Sequence, residues 1–306
     1  MDKSKSEKQQ GQHQRQQEGQ QGRQVKQKSK NTEKDSFFRK LFGEKERAIE
    51  LVNAVEGTSY PLDADAKICN LDDSLVWRYN DSAIAVEDKL LVFSEHQSSI
   101  NPNMPLRLLA YATDVLYTWF VKVRETYKEQ IFKIPTPKFY VLYNGEKELD
   151  QDVLRLSDAF ELEADEFSLE LTVKVINVNY EGGNEILEKS PSLKGYAYLV
   201  DLIRQNQRQG MSKDKAIRPA IQQCIEEGIL ADFLQEHFEE VANMLAKEYR
   251  FEDELEARAE ESMEKGVDKG MGIFRALKDN VPIAQIADEF DVKISRVEEM
   301  RDMLFA

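Results

Sequence analysis

Apolar positions along the chain repeat with two periods, and the change between them divides it. Helical spacing comes first: Asp35-Ser36 offers N-cap residues, Phe37, Phe38, Leu41 and Phe42 follow, and Ala48, Leu51, Val52 and Val55 form a stripe that Gly57 ends. The period then drops toward two. Asp81 to Val86 and Lys89 to Phe93 flank Glu87-Asp88 and predict a β-hairpin. A long helix is expected over Leu106 to Lys128, which lacks Gly and Pro and follows Asn101-Pro102-Asn103-Met104-Pro105. Lys138 to Tyr143 and Ser168 to Asn179 read as two further strands. From Glu185 onward only helical spacing remains, over Leu193 to Asn206, Lys213 to Glu227 and Ile229 to Arg250. Gly272 to Met303 then has the spacing of a helix-turn-helix, as a packing or dimerising unit rather than a DNA reader, because Glu298, Glu299 and Asp302 outnumber Arg296 and Arg301 in its second helix.

The first 34 residues fit neither pattern. They hold ten Gln, nine Lys/Arg and four Asp/Glu, with only Met1 and Val25 as sizeable apolar residues, and are expected to be a disordered basic tail. The expected division is therefore tail 1–34, an α/β domain over 35–180, a helical region over 185–265 and a small helical unit over 266–306. The net charge of −15 excludes non-specific coating of DNA by the overall field, so any nucleic-acid site is local. Cys69 and Cys224 stand far apart and only three His accompany them, which excludes zinc ribbons, zinc fingers and a disulfide scaffold. No apolar run approaches a membrane span and the first residues are polar, so a cytoplasmic protein with no membrane partner is expected.

The candidate chemistry gathers around Lys89 to Gln97. On a strand, Leu91, Phe93, Glu95 and Gln97 share one face, so a carboxylate and an amide end an apolar row. Glu95 either leaves the core there, taking hydrogen bonds from the next helix, or belongs to a site. The hairpin register decides what faces it. With a three-residue loop (Glu87, Asp88, Lys89), Asp81 stands opposite Glu95; with a two-residue loop Asp81 faces Ser94. Two converging carboxylates repel unless a cation lies between them, and Mg²⁺ suits such a pair. His96 points to the opposite face and is expected to be packed or hydrogen-bonded. Trp77 and Trp119 read as core or edge packing.

Asp81, Glu95-x-Gln97 and the run Glu-His-Gln-Ser-Ser-Ile-Asn-Pro-Asn-Met-Pro-Leu-Arg-Leu-Leu (95–109) resemble the bacterial recombination-promoting nuclease and transposase-like family of YhgA-like proteins, within the PD-(D/E)xK nuclease superfamily. The likeness extends to Phe38-Arg39-Lys40-Leu41-Phe42, Glu50-Leu51-Val52-Asn53-Ala54, Ile134-Pro135-Thr136-Pro137, Val141-Leu142-Tyr143-Asn144-Gly145, Leu156-Ser157-Asp158-Ala159-Phe160 and Leu171-Thr172-Val173-Lys174-Val175, covering roughly residues 36–250. It implies a restriction-endonuclease-like α/β core sheet flanked by helices, followed by an all-helical C-terminal half. It implies a DNA endonuclease associated with recombination or mobile elements, in which Asp81 and Glu95 hold Mg²⁺ or another divalent cation and Gln97 acts beside the attacking water. Where the superfamily usually has Lys, this chain has Gln97, which can position a water but supplies neither a base nor a positive charge. Glu50 matches the superfamily's helical acidic position and is the further metal-ligand candidate, with Glu46 as its rival and a solvated helix face open for either. Arg107 and Tyr111, one turn apart, read as phosphate contacts or as hydrogen-bond partners of Glu95. The alternative function is a catalytically degenerate nuclease fold serving as a DNA- or protein-binding regulatory module, with the helical C-terminal half mediating homo-oligomerisation.

Overall fold

The computed structural model describes residues 36–70, 81–182 and 184–305; the tail 1–34 and Trp77 lie outside them. The protein is α/β. A mixed six-stranded sheet has the order β1-β2-β3-β4-β6-β5, with β1 Ala66–Ile68, β2 Ser82–Val86, β3 Leu90–Gln97, β4 Thr136–Tyr143, β5 Val153–Arg155 and β6 Thr172–Asn177. The β3·β4 and β4·β6 pairs are parallel and the others antiparallel. β3 is accordingly buried from Leu90 to Glu95, as a strand covered on both faces must be.

Helix α1 (Phe37–Leu41) starts where Ser36 Oγ accepts the Arg39 N–H at 3.1 Å. Helix α2 (Lys45–Glu56) ends at Gly57, whose φ of 68° is the left-handed conformation a glycine tolerates best. Helix α3 (Met104–Val115) packs on one face of the sheet, where Met104, Leu108, Tyr111, Ala112 and Val115 meet Ala83, Ala85, Leu91, Phe93, Val141 and Val173. α2 covers the other face, where Tyr140 alternates with Val141 and donates its hydroxyl to Glu56. α3 stops well short of Lys128. Its fully buried stripe ends at Val115; the next turn, Leu116–Phe120, widens to a π-helix in which only Leu116 and Phe120 pack, half-buried, against the core, and the helix stops there. Trp119, expected to pack, is 49 % exposed in that turn.

Four helices follow the sheet: α4 (Glu185–Lys189), α5 (Pro191–Arg208), α6 (Lys213–Glu226) and α7 (Ala231–Glu236). Helix α8 (Phe238–Lys278) comes next, then α9 (Ile283–Glu289) and α10 (Ile294–Phe305). The chain forms two compact units that divide between Ala246 and Lys247. The first unit holds the sheet together with α5, which buries Leu193, Tyr196, Leu199 and Ile203 there. The second unit has its own small core of Ile273, Leu277, Ile286, Ala287 and Val297.

Candidate functional site

The hairpin turn sets the geometry. Glu87 and Asp88 both take positive φ, 52° and 51°, and Lys89 is the third loop residue, donating its N–H to Val86 O at 3.1 Å. Ala83 therefore pairs with Phe93 and Ser82 with Ser94, and the same register carried one residue further sets Asp81 opposite Glu95. Of the two registers open in the sequence, the structure has the one that joins the carboxylates.

Each carboxylate bonds the backbone of the other's strand. Glu95 Oε1 accepts the Asp81 N–H at 3.1 Å, and Asp81 Oδ2 accepts the His96 N–H at 2.7 Å. Glu95 is only 4 % exposed. Burial pushes its carboxyl well above the ordinary carboxylate range and the charge of Asp81 adds to the shift, while Arg107 and Arg39 pull the other way. Burial raises Asp81 as well, against the His96 N–H, Arg39 and Arg107. Arg39, on α1, is a charge that the motif reading passed over, although it stands in the Phe38-Arg39-Lys40 run. Only its place in the fold reveals the role.

Gln97 lies beyond Glu95 on the same face. Its Nε2 meets Met104 Sδ at 2.9 Å, and its Oε1 is buried without a hydrogen-bond partner. Arg107 Nη2 stands 3.6 Å from Glu95 Oε2, and the same guanidinium donates to Tyr111 Oη at 3.0 and 3.2 Å. The pair read as phosphate contacts is thus brought to the carboxylates, with Arg107 itself the partner of Glu95. Gln97 and Tyr143 end the parallel strands β3 and β4, and the carboxyl end of such strands is where open α/β sheets bind ligands. Gly145 closes this edge tightly: a Cβ there would lie 2.1 Å from Ser98 O.

His96 takes the opposite face, as expected. It stacks on Phe38, meets Tyr196 edge-on and lies 3.1 Å from the Tyr196 hydroxyl through Nε2; burial pushes its pKa down to about 3, so it stays neutral.

Glu50, the further metal-ligand candidate, bonds the start of α5. Its Oε1 accepts the Ser190 hydroxyl at 2.6 Å and the Ser192 N–H at 2.7 Å, and Oε2 takes the Ser192 hydroxyl at 3.3 Å. It therefore satisfies donors at the start of α5, on a helix covering the sheet face opposite Glu95. Among the described residues no group of three or more His, Cys, Asp or Glu side chains could hold a metal ion, so neither Glu50 nor Glu46 joins the carboxylate pair. The oxygens that fit a divalent cation are Asp81 Oδ1 and Glu95 Oε2, with the orphaned Gln97 Oε1 beside them. Two carboxylates suffice for Mg²⁺, which keeps several waters. No helix among the described residues is long and apolar enough to cross a membrane. Comparison with known proteins finds no matching family model, no matching curated protein and no matching solved structure.

Proposed function

We propose that the protein is a divalent-metal-dependent DNA endonuclease of the PD-(D/E)xK kind, associated with recombination or mobile elements. The observation that carries this reading is the facing of Asp81 and Glu95 at the carboxyl end of β3, with Gln97 Oε1 unpartnered beside them. Mg²⁺ held by the two carboxylates would supply Lewis-acid activation of a water and charge neutralisation at the scissile phosphate. Gln97 Oε1 accepts a hydrogen bond from that water and orients it, and Arg107, held by Tyr111, offers its guanidinium to a phosphate oxygen. The positive charge missing at position 97 is thus provided from α3. Nicking of supercoiled plasmid in Mg²⁺ tests the reading: wild type should nick, while Glu95→Ala and Asp81→Ala should not. Equal trace nicking by all three chains would sink it.

A second reading, a degenerate nuclease fold kept as a DNA- or protein-binding regulatory module, draws on one observation. Arg107 Nη2 stands 3.6 Å from Glu95 Oε2, so the buried carboxylate has a cationic partner within the chain. Plasmid binding without cleavage in Mg²⁺ would favour it.

A further inference from the structure

Helix α8 uses one face for the core of its own unit and leaves another uncovered. Ile273 and Leu277 turn inward, and Gly272 makes room for Phe290, whose ring would lie 2.4 Å from a Cβ at that position. Met263, Val267, Met271 and Phe274 are 73, 53, 49 and 43 % exposed. Their spacing of four, four and three residues gathers them into one stripe on an α-helix, alongside the row of Ile273 and Leu277.

Two glycines mark the same stretch. Gly266 and Gly270 sit inside a helix, where each costs about 1 kcal/mol relative to Ala. A Cβ at either would meet nothing within 4 Å among the described residues, so the chain itself makes no use of the missing side chains. Gly266 and Gly270 continue the row of Ile273 and Leu277 toward the start of the helix, and Gly270 borders the exposed stripe, where a second helix could approach closely.

The charges say which helix. Residues 252–264 carry seven acids and one base, whereas residues 265–278 carry four bases and one acid. Two copies laid parallel would set acid against acid; laid antiparallel, the acidic part of each meets the basic part of the other.

We propose that this stripe is the interface of an antiparallel homodimer. Met263 of one copy packs beside Phe274 of the other, Val267 packs against Gly270 and Met271, and Glu260 and Glu264 approach Arg275 and Lys278. The contact spans about three helical turns, so association is weak, with a dissociation constant on the order of micromolar. It requires no nuclease activity and does not rest on the reading of the β3 carboxylates.

Sedimentation equilibrium of the full chain across the micromolar range should show the mass rising from 35.4 kDa toward twice that value. Met263→Glu with Val267→Glu should keep the chain monomeric with unchanged helical circular dichroism, since both side chains are exposed. Gly266→Ala with Gly270→Ala should raise the melting temperature of the monomer while weakening association, a pair of effects that helix propensity alone does not produce. Orientation is read by oxidising an equimolar mixture of Met263→Cys and Phe274→Cys chains, because Cys69 and Cys224 are buried. Cross-links should join the unlike chains. A monomer throughout the range, a dimer indifferent to these substitutions, or cross-linking only between like chains would overturn the proposal.

Discussion

Arg107 reaches across from α3 to within 3.6 Å of Glu95, so the buried carboxylate already has a cationic partner. A divalent cation at the same oxygen must compete with that guanidinium. Arg107→Ala should therefore tighten Mg²⁺ binding several-fold by calorimetry while lowering plasmid nicking, because the group offered to phosphate has gone. Loss of both together would instead mark Arg107 as a structural support of the pocket.

The Glu95 carboxyl gives a pH dependence of definite sign. Burial and Asp81 raise its folded pKa well above the usual 4.5, so between those values the folded chain binds the proton more tightly than the unfolded chain does. Stability from that proton is fully present below about pH 4.5 and is lost as pH rises through the folded value, at about 1.4 kcal/mol for each pH unit between the two. Glu95→Gln should accordingly be more stable than wild type in alkaline buffer without metal, and the difference should shrink toward acid pH in chemical denaturation. Mg²⁺ affinity should fall in the same acid direction as protons occupy the carboxyl. A stability difference that is flat with pH would mean that Glu95 titrates normally.

At position 97 the test is between an oriented water and a bystander amide. Gln97→Ala should reduce nicking by roughly 10²-fold, with Mg²⁺ affinity lowered far less than by loss of either carboxylate. Gln97→Lys should retain or raise activity, although its ammonium would stand near Arg107. Inactivity of Gln97→Lys with normal metal binding would show that this site depends on the amide.

Glu50 separates folding from metal binding. Glu50→Ala removes the acceptor for three donors at the start of α5 and should cost about 1–2 kcal/mol in denaturant unfolding. Mg²⁺ affinity should not change. A fall in metal affinity at unaltered stability would return Glu50 to the ligand set.

The hairpin was readable from the sequence, but its register was not. Glu87-Asp88-Lys89 lacks the Asn-Gly or Asp-Gly pair that announces a turn type, and its two positive φ values fall on residues that rarely adopt them. Whether Asp81 faces Glu95 or Ser94 turned on that single loop residue. α1, α2 and β4 were legible because their apolar positions keep one period to the end. β1 and β5 have three residues each, too few for a pattern. α3 overran in the sequence reading because Leu116 to Lys128 keeps its helical spacing although, after the π-turn that half-buries Leu116 and Phe120, the chain leaves the sheet. The partners of Glu50 were not legible for a different reason: spacing along α2 cannot reveal that Ser190 and Ser192 come to meet it.

That last contact bears on the order in which a newly made chain can become native. Glu50 and Ser192 are separated by 142 positions, and Phe38 and His96 likewise wait for Tyr196. While a ribosome is still adding the strands, α1 and α2 lack the helix that closes their side of the sheet, and Glu50 lacks the donors it serves. A nascent chain halted near residue 180 should remain protease-sensitive, whereas one released after Ala246 should resist. The smallest autonomous piece of this unit is therefore longer than its sheet.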